Sequence, residues 1–150
     1  QIDLSVALYD GGDYGWRCLI DRHKETQMKK LKVAAANEVQ EAQIHAAPAD
    51  GQAILLTRVG GKVHAVSAKC THLGLSMKGG KVADGAIQCP WHGSKFDLTT
   101  GKNIQWTNSF LGLPLPKCVH SLIAMGKQPA ALPVFAATEE DGAIYVELPD

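Results

Sequence analysis

Cys70-Thr71-His72-Leu73-Gly74 and Cys89-Pro90-Trp91-His92-Gly93-Ser94 are the two stretches on which the reading of this 150-residue chain turns. Each offers one thiolate and one imidazole, followed by a glycine that allows a tight turn. Together they spell C-x-H-x16-C-x2-H. Two Cys and two His also make a legitimate zinc set, but zinc spacing groups like with like, as C-x2-4-C and H-x3-5-H. Here each short motif mixes one Cys with one His. That favours an iron–sulfur centre in which the two Cys hold one iron and the two His hold the other.

The flanks of the two motifs read as β structure. Upstream, 31–34 and 43–46 are candidate strands, with a turn and one buried anchor at Asn37-Glu38-Val39 between them and a turn at 48–51. Residues 52–59 form a strong strand, Gly60-Gly61-Lys62 a hairpin turn, and 63–67 the returning strand. Between the motifs, Asp84-Gly85 joins short strands at 82–83 and 86–88. Beyond the second motif come 95–98, a turn at 99–102 and 103–106. Short strands between glycine turns, roughly ten residues apart, predict an all-β antiparallel sandwich or small barrel. Each ligand pair then sits at the tip of a rigid β structure.

The outer parts are less regular. Residues 1–30 read as an N-terminal extension: an edge strand over 2–9, a turn cluster over 10–15, a short strand over 16–20, and a helix-compatible 21–30 with Asp21 as its N-cap. Lys24, Lys29 and Lys30 are a candidate basic docking patch. Residues 107–126 read as an insertion in the main domain, 31–150. Within it the proline-rich 110–116 predicts extended chain or loop, and 119–125 a strand or a short helix. A closing hairpin is predicted from 132–138, the turn Glu139-Glu140-Asp141-Gly142 and 143–148.

Composition bounds the function. Fifteen basic and fifteen acidic residues cancel, so nothing global attracts nucleic acid or a membrane. No apolar stretch approaches the roughly 18–20 residues of a transmembrane helix, and there is no signal-peptide pattern. The chain starts with Gln, which predicts a processed or trimmed form. Cys18 and Cys118 show no disulfide signature and read as free, partly buried thiols, which suits a reducing compartment.

The pattern C-x-H-x16-C-x2-H closely resembles that of Rieske [2Fe–2S] proteins. Gly60-Gly61-Lys62-Val63-His64-Ala65, Leu73-Gly74, Gly93-Ser94-Lys95-Phe96-Asp97, Gly101-Lys102 and Asp141-Gly142-Ala143-Ile144-Tyr145-Val146 extend the likeness over 31–148. The resemblance implies a Rieske-type antiparallel β-sandwich with a cluster-binding subdomain of two loops at one end. It implies one [2Fe–2S] cluster per chain, with Cys70 and Cys89 on one iron and His72 and His92 on the other. Rieske proteins of cytochrome bc complexes carry an extra Cys in each ligand loop, joined by a disulfide. Leu75 and Trp91 stand at the matching positions, so that bridge is absent. Those proteins also place a Ser and a Tyr hydroxyl on the cluster sulfurs. Ser94 is kept, but Phe96 stands at the Tyr position. One donor fewer means less stabilisation of the negative charge gained on reduction, and a potential in the lower part of the family range, as in Rieske-type ferredoxins.

Rieske oxygenases add a mononuclear iron held by two His and a carboxylate. His23, His45, His64 and His120 show no such arrangement with Asp or Glu. The implied role is a soluble one-electron carrier, monomeric and not itself an enzyme. Its partners are a reductase as donor and an oxygenase or larger complex as acceptor, in cytoplasm or plastid stroma. The alternative is an accessory or redox-sensing subunit of a larger complex. Leu73, Leu75, Met77, Pro90 and Trp91 are candidates for an apolar docking surface around His72 and His92.

Reduction adds negative charge beside the imidazoles and raises their proton affinity. The reduction potential is therefore expected to fall as pH rises through their titration range. Voltammetry between about pH 6 and pH 11 checks this, and a flat line would exclude solvent-linked His ligation.

Overall fold

The computed structural model describes residues 27–149. The expectations for 1–26, with Cys18, His23 and Lys24, lie outside those residues. Strand β1 (Met28–Ala35) is followed by a 3-10 turn (Ala36–Glu38), β2 (His45–Ala49), β3 (Gln52–Val59) and β4 (Lys62–Ser67). The first ligand loop leads to the hairpin β5 (Lys81–Ala83) and β6 (Ala86–Gln88). The second leads to β7 (Lys95–Asp97) and β8 (Asn103–Gln105). A small hairpin, β9 (Ser109–Phe110) and β10 (Leu113–Pro114), precedes the helix α1 (Lys117–Ala124). Strands β11 (Val134–Phe135), β12 (Ala137–Glu140) and β13 (Ala143–Pro149) close the chain.

The strands form three antiparallel sheets, in the orders β1-β13-β12, β11-β4-β3-β2 and β5-β6-β7-β8, beside the β9–β10 hairpin. The first two sheets pack face to face over Ala34, Ala47, Ile54, Leu56, Ala65, Ile144, Val146 and Leu148. On the other side of the middle sheet, Leu55 and Val66 join a second core with Ile87, Phe96, Leu98, Met77, Cys70 and Cys89. Side chains alternate between faces along a strand. The run Ile54-Leu55-Leu56 is continuously apolar because β3 is covered on both sides, Ile54 and Leu56 by one core and Leu55 by the other. The middle sheet is thus the shared wall between the sandwich and the ligand-bearing part.

Several expectations change. Residues 28–30 extend β1 rather than a helix, because they pair with Pro149, Leu148 and Glu147. Lys29 meets Asp50 at 3.6 Å and Lys30 is ion-paired with Glu140, so neither offers a free basic patch. The apolar run from 132 is not one strand. Val134 and Phe135 pair with β4, whereas β12 pairs with β13, so the chain changes sheet at Ala136. Glu139 and Glu140 belong to β12, and the turn is Asp141-Gly142 alone. Cys118 is exposed on α1 rather than partly buried.

Ile144 is fully buried between the sheets, whereas Ile104 is 59 % exposed. Ile144→Ala is expected to destabilise the chain by about 2–5 kcal/mol and Ile104→Ala by far less, as read from urea denaturation midpoints.

Candidate metal centre

The two ligand loops repeat one backbone device. In the first, Cys70 N–H donates to Leu75 O at 2.9 Å and Gly74 N–H returns to Cys70 O at 2.8 Å. In the second, Cys89 N–H donates to Ser94 O at 2.8 Å and Gly93 N–H returns to Cys89 O at 3.2 Å. The chain reverses through glycines with φ of +72° at Gly74 and +74° at Gly93, where other residues are strained. Gly93 has a second reason to be glycine. A Cβ there would lie 2.1 Å from Asn108 Oδ1 and 2.2 Å from Ser109 Oγ.

The loops bring all four expected donors to one end of the molecule. His72 Nδ1 and His92 Nδ1 face each other at 3.2 Å, with the rings nearly perpendicular at 86°. Cys70 and Cys89 are buried in the same core, close enough to share a hydrogen bond. That bond raises the Cys70 thiol, with burial adding to the rise, and lowers Cys89. The pair therefore releases one proton readily and holds the other. Burial, and then the neighbouring His72, push the His92 imidazole below its ordinary range, which favours the neutral ring. A neutral imidazole is the form that binds a metal.

These donors suit a two-metal group better than a single ion. Among the described residues, no three His, Cys, Asp or Glu side chains converge on one ion site. They fall instead into a sulfur pair and a nitrogen pair, as a two-iron group with unequal ligands requires. Ser94 Oγ is buried and has no hydrogen-bond partner among the described residues. A buried hydroxyl without a partner is costly, and an acceptor on a bound group would relieve it. Phe96, at 0 % exposure on β7, packs in the core that contains both cysteines.

The loops are also tied to each other. Trp91 Nε1–H donates to Ser76 O at 2.9 Å, from the second loop to the first. Leu75 and Trp91 are the positions without bridging cysteines, and this bond joins the loops at nearly the same place. Leu75 and Trp91 are exposed, and Leu73 and Pro90 partly so, but Met77 is fully buried and drops out of the expected docking surface. Sequence reasoning missed Trp106, whose ring lies edge-on to His72 at 5.2 Å, and Phe110, whose ring is 6.0 Å from His92. Both lie downstream of the second motif, and nothing local in the sequence ties them to the histidines. His45, His64 and His120 stand apart from the centre, with His120 Nε2 bonded to Leu115 O at 2.9 Å.

The family described as Rieske [2Fe-2S] domain matches residues 29–110. The chain is 40 % identical over 48 residues to mouse apoptosis-inducing factor 3, a stretch covering 32 % of this chain and 8 % of that protein. It is 29 % identical over 75 residues to the ferredoxin component of the naphthalene 1,2-dioxygenase system of Pseudomonas putida, covering 50 % of this chain and 72 % of that one. Its fold is similar to that of Sphingomonas yanoikuyae B1 ferredoxin, with a TM-score of 0.62 at 21 % identity, over 81 % of this chain and all of the other.

Trp91→Phe keeps an aromatic side chain, smaller than the indole, and removes the donor. It is expected to cost about 1 kcal/mol, seen as a lower thermal midpoint, and an unchanged midpoint would show that the bond between the loops contributes nothing.

Proposed function

The chain belongs to the Rieske [2Fe–2S] domain family, and from that membership we propose that it carries single electrons between redox partner proteins. The observation that carries the reading is the pair of facing His Nδ1 atoms beside the buried Cys pair. In this reading Cys70 and Cys89 hold one iron, and His72 and His92 hold the other, in one [2Fe–2S] group per chain. When bound, that group supplies one reversible electron. Two neutral imidazoles in place of two thiolates leave less negative charge on the donor set, which favours reduction relative to the roughly −400 mV of all-Cys plant-type centres.

The chain's own residues do the rest. The paired backbone closures hold both cysteines with their amides already engaged. The second core, with Phe96, Ile87 and Met77, excludes water from the sulfur side. Ser94 Oγ, buried without a partner, would donate its hydroxyl to an acceptor on the group, while Phe96 offers no second hydroxyl. In this reading the domain takes in all of β1, which begins at Met28 rather than at the expected residue 31, and 107–126 is an insertion within it. Among the described residues no helix is long and apolar enough to cross a membrane. A relative that is the ferredoxin component of a dioxygenase system supports an oxygenase as acceptor, and gives the plastid stroma no support; a reductase as donor and a reducing cytoplasm complete the reading. The insertion packed on the ligand loops favours, as a second reading, an accessory or redox-sensing subunit of a larger complex.

Redox-titrated EPR of the reduced protein tests the proposal. Expected are a low average g value and a potential toward the lower end of the family range, which starts near about −150 mV. A value near the upper end, about +300 mV, would overturn the low-potential reading, and no such signal would overturn the ligation. Phe96→Tyr is expected to raise the potential and Ser94→Ala to lower it, each read in the same titration.

A further inference from the structure

Residues 106–127 run across the ligand end and treat its two imidazoles differently. His72 is 1 % exposed, and its Nε2 lies 3.2 Å from Ala124 O. A carbonyl only accepts, so Nε2 carries the proton and Nδ1 keeps its lone pair. Ala124 is the last residue of α1. Its oxygen also accepts Lys127 N–H at 2.9 Å, and two lone pairs serve both donors. Met125 fixes this turn in the left-handed region, with φ of +52° and its N–H on Leu122 O at 3.2 Å. Trp106 lies edge-on to the His72 ring, and its Nε1–H reaches Lys127 O at 3.2 Å, closing the base of the segment.

His92 meets the same segment through its backbone. Asn108 N–H and Ser109 N–H both donate to His92 O, at 2.9 and 3.3 Å. The His92 ring is partly exposed, and among the described residues its Nε2 makes no hydrogen bond. The ring beside it, Phe110, is itself 51 % exposed.

We infer that α1 is a built-in cover for one ligand of the centre. Its last carbonyl fixes His72 in the tautomer that presents Nδ1 and closes that imidazole to solvent. The His92 ring, beside Trp91, Phe110 and Leu111, is then the open side from which water and a redox partner approach. This rests on the ligation proposed above, so the experiment begins with the EPR signal of the loaded, reduced protein. Loss of that signal would remove the ligation reading, whereas the reactivities below address the cover alone.

Diethyl pyrocarbonate acylates an accessible imidazole nitrogen: the nitrogen forms the N–C bond, its proton is lost, and ethanol and carbon dioxide leave. In the loaded protein, peptide mass spectrometry is expected to show His92 modified about tenfold or more faster than His72. Met125→Pro removes both the positive φ and the N–H that set the turn, at a residue 67 % exposed. It is expected to bring the His72 rate close to that of His92, whereas Met125→Gly keeps the turn and the wild-type asymmetry. In heavy water, pulsed EPR of the reduced protein is expected to show one ring deuteron at once and the second only slowly. Equal acylation of the two rings in the wild-type protein would overturn the inference. So would a loaded Met125→Pro protein in which His72 stays protected. If Met125→Pro does not load, the wild-type rates and the deuteron exchange decide.

Discussion

Cys70 and Cys89 are each held by their own backbone before any side chain is considered. The Cys70 and Cys89 amides donate forward to Leu75 O and Ser94 O, and a glycine amide returns to each cysteine's carbonyl. Buried amides must find partners, and these loops satisfy theirs internally. They can therefore stand at the end of a sheet without strands of their own. The rest of the molecule serves that arrangement. The middle sheet presents Leu55 and Val66 as a floor under the cysteines, and Ile54 and Leu56 on its reverse anchor it to the outer sheet. A shift in that wall would be felt in both cores at once, because β3 belongs to both.

The two loops then differ in how their histidines are placed. Cys to Gly is the same distance along the chain in both, yet His follows its Cys by two residues in the first and by three in the second. The extra step turns the second ring so that both Nδ1 atoms point at one place from opposite sides. Segment 106–127 completes the difference. It grips the second loop by its backbone and the first by its imidazole.

Much of this was legible in the sequence because the motifs impose it. Mixed Cys–His spacing singled out four side chains that the fold brings to one end, and glycine turns between short apolar runs marked most of the strands. What was not legible depended on contacts distant in sequence. Residues 28–30 look helical in isolation and become strand through pairing with the far end of the chain. The run from 132 looks continuous and divides because two different sheets claim its halves. Met77 sits among docking candidates by proximity to His72, but the return of its N–H to Ala68 O at 2.8 Å draws it inward. The helix over 117–124 begins directly after Pro116 and has no buried residue of its own, so periodicity gave little sign of it.

The bond from Trp91 to Ser76 O joins the loops beside Leu75 and Trp91, the two positions that match the bridging cysteines of Rieske proteins from cytochrome bc complexes. A disulfide must be made by an oxidant and is lost when ambient thiols are reducing enough. An indole hydrogen bond has no such dependence. It forms when the loops meet and parts when they separate, whatever the thiol balance around it. The two loops are thus fastened to each other with no need of oxidising machinery. The same fastening remains intact in reducing surroundings that would cleave a disulfide.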